Sequence, residues 1–528
     1  MLKFLHHSPS TSLYQRRATR QNLNTPPKLI YSLLLALFAG VIFSFALAPY
    51  HLWVLALTSP MVLYIALVSE ESPKRAFWIG EFYGFGLWAV GAFWLYNSIH
   101  EYGNIAPALA VTLIAIMASI MGLFHAVMAW AFVRFLGRQP LAFAGLWVLQ
   151  EWLKTWLFTG FPWLFVGYAF SDVPMLTSLA PVFGVFGLSF VAVLFACSVV
   201  ELFRKRFGYV IISITTLLAS VILYFVNPTW TKPTGETLSV ALVQGNIPQD
   251  MKWLGEYRLE TLRIYDELTY PLWGKTDAII LPEASIPMFQ DEADEFLQIM
   301  NANANYSGTA WLAGIPYRQT KDGKADRFYN SVMALGANGQ QVYKKQRLVP
   351  FGEYVPLQGL FNVLPDLAGM QNMSGFSLGE SNQAPLMVKN QPIGTAICYE
   401  VAYPDTTRHN AKDSQILLTV SNDAWFGTTA GPHQHLQMVQ MRSLETGRWF
   451  MRATNTGITA FINDKGQIVD KAPQFERTTL QGQVPAMTGV TPFMRFGSVP
   501  ILLLSLLLIG LSFIAKRQTA PRFNLPKP

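Results

Sequence analysis

Apolar runs of about 20 residues interrupt this chain before and after a more polar central region. A helix needs about 20 apolar residues to cross the hydrocarbon layer of a bilayer. Charged residues make up 13% of the chain, against about 25% in soluble proteins, which excludes an ordinary cytosolic enzyme. We therefore predict eight transmembrane helices, near residues 29–48, 52–69, 76–97, 106–135, 141–158, 179–202, 208–227 and 497–515.

The first and fifth runs each carry a second interpretation. A polar, basic stretch over residues 1–28 precedes the first run, as in a signal peptide. The run is longer than the usual apolar segment of about 7–15 residues, so we predict a retained helix behind a cytoplasmic extension. In the fifth run, Glu151 and Lys154 stand three residues apart and could pair on one helix face. Intramembrane charges often serve function, but we interpret these two as a pair near the end of the helix.

The basic residues are distributed as in a membrane protein. Residues 235–490 hold about 25 of the 32 acidic residues and about 20 of the 39 basic ones, so the net charge of +7 comes from the rest. There the bases flank apolar runs, which is the pattern of cytoplasmic loops. A nucleic-acid-binding protein collects them on its folded domain, so the sequence argues against nucleic acid as a partner.

The basic clusters also predict the topology. They all fall on one side if seven helices precede the central region; they comprise the N-terminal segment, Lys74 with Arg75, Arg134 with Arg138, residues 204–206, and Lys516 with Arg517. We therefore predict a membrane domain over 29–227, an extracytoplasmic domain over 228–496, an eighth helix over 497–515 and a cytoplasmic tail over 516–528.

The central region has the pattern of an α/β domain. Short β-branched runs occur at Leu238–Val243, Ala278–Leu281, Trp311–Ile315, Ser331–Leu335, Ile393–Cys398 and Ile416–Val420. Helical stretches such as Arg258–Leu268 and His433–Thr446 lie between some of them. Strands that alternate with helices predict a sheet covered by helices.

Two polar residues end strands of this predicted sheet. Cys398 closes an apolar run, and Glu283 follows another in Leu-Pro-Glu. A cysteine in such a run is often a small buried hydrophobic residue, and Cys197, inside a predicted helix, fits that description. Glu283 could equally begin a helix. A thiol and a carboxylate at neighbouring strand ends would, however, form a nucleophile and its base.

A third candidate is Lys345, in a basic run that continues into Leu-Val-Pro-Phe-Gly-Glu-Tyr. Basic runs are commonly solvated, but the apolar turn that follows suggests a side chain turned inward. Leu-Pro-Glu, Lys345 eight residues before Glu353, and Ile-Cys-Tyr-Glu together resemble the Glu-Lys-Cys triad of the nitrilase, or carbon–nitrogen hydrolase, superfamily. With apolar runs on both sides, the chain is similar to the bacterial apolipoprotein N-acyltransferase family over about residues 29–515.

This resemblance implies a fold and an activity. The fold would be a polytopic α-helical membrane protein with an inserted nitrilase-like α-β-β-α sandwich facing the periplasm of a bacterial inner membrane. The activity would move an acyl chain from a membrane phospholipid to the N-terminal amine of a diacylglyceryl-cysteine apolipoprotein, the last step of lipoprotein maturation. Glu283 would be the base, Lys345 the electrostatic stabiliser and Cys398 the nucleophile. Supporting positions match Trp253, Glu353, Tyr399 and Glu400.

The chemistry agrees with these residue types. Moving an acyl group from an ester to an amine through one site favours a covalent intermediate, and a thioester suits both halves of a ping-pong reaction. No cofactor or metal is implied, since the eight histidines lack ligand spacing and His433 with His435 more simply begin a helix.

Residues 356–377 form an apolar stretch that we interpret as a lid in contact with lipid, although a packed excursion is the alternative. Its candidate substrate contacts are Leu357, Leu360, Phe361 and Leu364, to which we add Trp425.

Two other functions fit parts of the sequence. A membrane-tethered amidase or nitrilase would release acyl groups to water, but a tether needs one span rather than eight. A transporter with a periplasmic binding domain would need polar or broken helices near the middle of the membrane, and most spans here are plainly apolar.

Overall fold

The computed structural model describes residues 26–321, 324–354 and 375–519. Seven helices of at least 14 residues precede the central region in this part of the chain. They are α1 Pro26–Phe43, α2 Leu55–Val68, α3 Pro73–Gly91, α4 Pro107–Phe135, α5 Pro140–Leu153, α6 Ala180–Phe203 and α7 Phe207–Val226. Proline opens four of them, where its missing N–H costs nothing. At α3 the Ser72 side chain also caps the helix by accepting from the Arg75 N–H.

Two six-stranded sheets follow. The first has the order β12-β1-β2-β3-β4-β5 and the second β11-β10-β9-β8-β7-β6. Each has three parallel strands at its centre and antiparallel neighbours outside them. The strands are β1 Thr231–Gln244, β2 Ala278–Ile280, β3 Ala310–Lys321, β4 Lys324–Leu335, β5 Gln341–Lys344, β6 Leu386–Val388, β7 Gln391–Ile397, β8 Ile416–Ser421, β9 Phe450–Thr454, β10 Ala460–Ile462, β11 Ile468–Lys471 and β12 Thr478–Gly489.

The two sheets pack face to face and helices cover their outer faces. Alternate residues of each strand point to opposite faces, so Val240 and Leu242 of β1 enter the core between the sheets while Ala241 and Val243 enter an outer core. Helices α8 Arg258–Thr269 and α9 Asp294–Ser307 cover the first sheet, and α10 Pro404–Lys412 and α11 Gly431–Thr446 cover the second. The predicted α-β-β-α sandwich is confirmed.

Helix α11 joins the sandwich to the helical region. It is buried along its length between the second sheet and the helical region, and Met438, Met441 and Leu444 pack into the same core as α1–α6. Hydrogen bonds also connect α11 to the helical region. Gln437 Oε1 accepts from the Ala48 N–H at 3.2 Å, and Glu445 Oε1 accepts from the Val185 N–H at 2.8 Å. After the sandwich, the final helix α12 spans Val499–Thr519 and packs on α5.

A helix therefore lies in each of the eight ranges predicted from the apolar runs. Within the described residues, five stretches are long and apolar enough to cross a membrane: Leu29–Ala46, Pro107–Phe135, Ala180–Phe203, Phe207–Val226 and Val499–Gln518. The helices α2 and α5 have 14 residues each, and α3 carries three charged residues. The crossing itself, the orientation and the domain limits stay predictions.

The fifth range differs from its prediction. Helix α5 ends at Leu153 rather than 158, and the chain continues as an irregular loop in which Phe158 has φ 53°. Glu151 Oε1 accepts hydrogen bonds from Trp147 Nε1 and from the Val166 N–H. Lys154 lies instead over aromatic rings, with Nζ 5.5 Å from the Trp88 centroid. Both charged side chains are buried, and the hydrogen bonds of Glu151 and the ring contacts of Lys154 come from the following loop and the aromatic core.

Candidate active site

Three strand ends bring the candidate residues together. Glu283 comes three residues after β2, Lys345 directly follows β5 and Cys398 directly follows β7. Glu283 and Lys345 follow strands of one sheet, and Cys398 follows a strand of the other. The site therefore lies where strand ends of the two sheets meet. The sequence-based expectation that strand ends present Glu283 and Cys398 agrees with their placement, but the two strands belong to different sheets and not to the single sheet that was predicted.

A buried ionic network connects Glu283 and Lys345. Lys345 Nζ lies 3.1 Å from Glu283 Oε1 and 2.9 Å from Glu353 Oε1, and the lysine is 1% exposed. Asn330 Nδ2 donates to the same two oxygens, at 2.8 and 2.7 Å. Glu353 also accepts from the Val349 N–H through its other oxygen. One ammonium therefore lies between two carboxylates, which is a geometry that holds it charged and in place.

The second oxygen of Glu283 is held from the opposite sheet. The Asn422 N–H, which follows β8, donates to Glu283 Oε2 at 2.9 Å. Burial by itself raises the pKa of Glu283, but the Lys345 ammonium and the hydrogen bonds from Asn330 and Lys345 outweigh it, so the net pKa lies below the ordinary value. Glu283 is thus ionised and ready to accept a proton.

A second lysine, Lys252, lies beside this network. It is fully buried, and its Nζ donates to the main-chain carbonyl of Glu283 at 3.0 Å. Burial lowers the pKa of Lys252 to about 8, against opposing contributions from Glu283 and Cys398. Lys252 therefore fixes the backbone that carries the base and contributes positive charge near the thiol.

Close backbone packing also sets the position of Glu283. A Cβ on Gly314 of β3 would lie 2.6 Å from Glu283 Cα and 2.5 Å from the Ala284 nitrogen. Both atoms belong to the main chain, so no side-chain rotation could relieve the contact. Only glycine lets the turn after β2 approach β3 this closely.

Cys398 sits in a strained turn. Its φ is 52°, which L-residues other than Asn and Asp rarely adopt and which costs about 1–3 kcal/mol unless neighbours hold it. The side chain is partly exposed. Burial raises the pKa of the Cys398 thiol and the Glu283 carboxylate raises it further, whereas Lys345 lowers it. The resting sulfur is therefore a thiol, which becomes a nucleophile only when a base takes its proton.

Glu400 holds this turn on one side. Its Oε2 accepts from the Ile397 N–H at 2.6 Å, and its Oε1 accepts from the N–H groups of Gln346 and Arg347. One carboxylate thereby connects the residue before the nucleophile to the residues after Lys345. Glu400, a supporting residue in the family resemblance, therefore fixes the spacing between the nucleophile Cys398 and Lys345.

Tyr399 faces the helical region rather than the reacting groups. Its hydroxyl donates to the Gly160 carbonyl at 3.1 Å, and its ring stacks at 6.5 Å on Trp163, both in the loop after α5. Trp253 and Trp425 are exposed. The Trp425 carbonyl accepts from Asn97 Nδ2 and Ser98 Oγ, on the loop between α3 and α4. Four predicted lid contacts lie outside the described residues: Leu357, Leu360, Phe361 and Leu364.

Several site residues received no role from the sequence. Asn422 and Asp423 end β8 as Cys398 ends β7, so the same strand-end argument would have found them. Lys252 directly precedes Trp253, a supporting position of the family resemblance, but received no assigned chemistry. Asn330 lies inside β4, and His435 lies inside α11, where nothing local distinguishes a functional residue from a core residue.

Comparisons with known proteins agree with this organisation. Residues 39–198 match the Apolipoprotein N-acyltransferase N-terminal domain family and residues 239–493 match the Carbon-nitrogen hydrolase family. An apolipoprotein N-acyltransferase from Pseudomonas syringae pv. tomato is 42% identical, over 92% of this chain and 97% of that protein. Another from Azotobacter vinelandii is 41% identical over 92% and 95%.

Among solved structures, a CN-hydrolase superfamily protein from Xanthomonas campestris resembles the chain with 18% identity and a TM-score of 0.36. The match covers 48% of this chain and 91% of that one.

Proposed function

The chain belongs to the apolipoprotein N-acyltransferase family and acylates lipoproteins, and we propose that it does so through a thioester on Cys398. The acyl donor would be a membrane phospholipid, and the acceptor would be the N-terminal amine of a diacylglyceryl-cysteine apolipoprotein. The observation that carries the mechanism is the buried contact of 3.1 Å between Lys345 and Glu283, beside a cysteine in a strained strand-end turn.

The protein is a multi-pass bacterial membrane protein, and we propose that its sandwich faces the periplasm. Basic residues cluster at the end of the helices away from the sandwich. Lys516 Nζ donates to the Arg134 carbonyl, and Glu201 pairs with Arg204 and Arg206. At the opposite end, the loops around Ala48, residues 97–98 and Gly160 contact the sandwich. Since basic clusters stay in the cytoplasm, this separation supports a periplasmic site.

The first half-reaction begins with Glu283. Its carboxylate takes the Sγ proton of Cys398, and the sulfur attacks the ester carbonyl carbon of the phospholipid. The carbonyl electron pair moves to oxygen and gives a tetrahedral oxyanion. When the electron pair of the oxyanion re-forms the carbonyl, the bond between carbon and the glycerol oxygen breaks. That oxygen then takes from Glu283 the proton that came from Cys398. A lysophospholipid leaves, and the acyl chain remains on Cys398 as a thioester.

The oxyanion needs donors that are fixed before it forms. Lys345 is held by Glu283 and Glu353, so its ammonium does not have to reorganise. The backbone N–H of Tyr399, next to the nucleophile, would supply the second donor. Fixed donors in a site shielded from water stabilise a transition state far more than mobile ones do.

In the second half-reaction the sulfur of Cys398 is the leaving group and no longer the nucleophile. The neutral amine of the acceptor attacks the thioester carbonyl, and Glu283 takes a proton from the attacking nitrogen. The carbon–sulfur bond then breaks, and the thiolate receives that proton. The product is an amide, and Cys398 is again a thiol. One carboxylate thus serves both halves of the reaction.

This sequence predicts ping-pong kinetics with a stable acyl-enzyme while the acceptor is absent. Initial rates plotted against both substrates should give parallel lines, because the lysophospholipid leaves before the acceptor binds. The assay would use a synthetic diacylglyceryl-cysteine peptide as acceptor and follow the addition of one acyl group by mass spectrometry. Acyl groups released only as free fatty acid would identify a hydrolase instead, and intersecting lines would contradict the covalent route.

A further inference from the structure

A buried histidine contacts the main chain of the nucleophile. His435 of α11 is 1% exposed, and its Nε2 lies 3.0 Å from the Cys398 carbonyl oxygen. A carbonyl oxygen only accepts hydrogen bonds, so Nε2 carries the hydrogen that is donated. The mechanism above gives this side chain no role.

The imidazole is itself held on its far side. Nδ1 lies 3.1 Å from Asp423 Oδ1 and 3.3 Å from Arg452 Nη2. Asp423 accepts from Arg452 through its other oxygen and from the Ser421 hydroxyl at 2.6 Å. Arg452 also donates through Nε to the Ile458 carbonyl. The ring is therefore held in one orientation by β9 and by the turn after β8.

Because the peptide bond is planar, the contact between His435 and the Cys398 carbonyl also affects the N–H of Tyr399. In a trans peptide the carbonyl of one residue and the N–H of the next lie in one plane and point in opposite directions. Fixing the Cys398 carbonyl therefore fixes the Tyr399 N–H, which is the second oxyanion donor of the proposed mechanism. Glu400 anchors the Ile397 N–H before the nucleophile, and the His435 side chain contacts the peptide after it, whose carbonyl also lies in the short 3-10 helix Cys398–Ala402.

We propose that His435 is a positioning residue for the oxyanion hole. By donating to the Cys398 carbonyl, it orients the Cys398–Tyr399 peptide so that the Tyr399 N–H meets the oxyanion. The inference rests on the proposed thioester route and adds a residue to it. It differs from a purely structural role, because a loss of this hydrogen bond should slow steps that form an oxyanion and spare those that do not.

Two reactions of Cys398 separate the possibilities. Acylation by phospholipid in the absence of acceptor passes through an oxyanion, whereas alkylation by iodoacetamide is a displacement at carbon that forms none. Both would be followed by intact mass on the full-length protein in detergent. His435→Leu removes the donor, His435→Gln keeps an amide N–H at the position of Nε2, and His433→Leu is a control on the same helix at a partly exposed residue.

Loss of a single oxyanion donor costs about 10²- to 10³-fold, and since a misdirected donor keeps part of its effect, we expect acylation of His435→Leu to fall about 10- to 100-fold. Its alkylation should keep most of the parent rate. His435→Gln should recover most of the acylation, and His433→Leu should match the parent. If His435→Leu does not fold, His435→Asn replaces it, since the shorter amide cannot reach the Cys398 carbonyl.

Parent-like acylation by a folded His435→Leu variant would overturn the inference about His435 and leave the thioester route intact. So would an equal loss of acylation and alkylation, which would mean that the histidine only holds the cysteine. A parent protein that alkylates but never acylates would overturn the thioester route and the inference with it.

Discussion

Replacing Gly314 with alanine tests whether the backbone of the base is placed as the structure indicates. The added Cβ would lie 2.6 Å from Glu283 Cα, whereas ordinary contacts begin at 3.4 Å. The turn after β2 must therefore retreat by about 1 Å, because the nearest atom is the Pro282 carbonyl oxygen at 2.4 Å and no rotamer change can move a main-chain atom. The contact of 3.1 Å between Glu283 and Lys345 would lengthen accordingly.

A misplacement of about 1 Å at a catalytic group costs about 100-fold in rate. We expect Gly314→Ala to lose about that much acyl transfer, with a loss of stability of about 1–3 kcal/mol from overpacking. Turnover would be measured with phospholipid and an acceptor peptide, and folding would be followed by thermal unfolding in detergent. The loss of rate should exceed what the unfolded fraction explains.

Gly255→Ala is the matched control. No heavy atom lies within 4 Å of a Cβ at Gly255, and its φ is outside the left-handed region, so the variant should keep the parent activity and stability. A folded Gly314→Ala protein with turnover close to that of the parent would refute the placement of Glu283 against β3. An equal loss in both variants would show that the assay responds to glycine replacement in general.

Three further predictions concern the triad and the topology. Glu283→Gln, Lys345→Ala and Cys398→Ser should each abolish transfer, with a double variant no worse than a single one, because the residues act as a unit; near-parent turnover of Glu283→Gln would remove it as the base. Near neutral pH, iodoacetamide should nevertheless alkylate Glu283→Gln faster than the parent, because burial and then the Glu283 carboxylate raise the pKa of Cys398, and slower alkylation would contradict this electrostatic coupling. A reporter near residue 320 should be extracytoplasmic and reporters near 137 and at the C-terminus cytoplasmic, and cytoplasmic labelling at 320 would overturn the arrangement of the spans.

Some features of this fold are visible in the sequence because they depend on local pattern. Runs such as Leu238–Val243 and Ile416–Val420 lie inside strands, and each apolar run contains a helix. Strand β9 was missed because a charged residue, Arg452, interrupts its apolar run although every residue of the strand is buried. Helix α5 ends before the apolar run does, and Glu151 accepts a hydrogen bond from the loop that follows, a contact that no helical pattern encodes.

In the candidate site, too, some residues could be predicted from the sequence and others could not. Glu283 and Cys398 could be found because each is a polar residue at the end of an apolar strand, although the sequence did not show that the two strands belong to different sheets. Asn330 and His435 could not, because each reaches the site from the interior of an element and acquires its partner only when distant elements pack. Asn330 bridges Glu283 to Glu353 from β4, and His435 reaches Cys398 from a helix on the other face of the second sheet.

Intact mass of the purified protein, incubated with phospholipid and no acceptor, tests the covalent route most directly. The account predicts an increase of one fatty acyl group that is absent from Cys398→Ala and that disappears when an acceptor peptide is added, with the acyl group then found on the peptide amine. An unchanged mass in an active enzyme, or an adduct of equal size in Cys398→Ala, would contradict a thioester on Cys398.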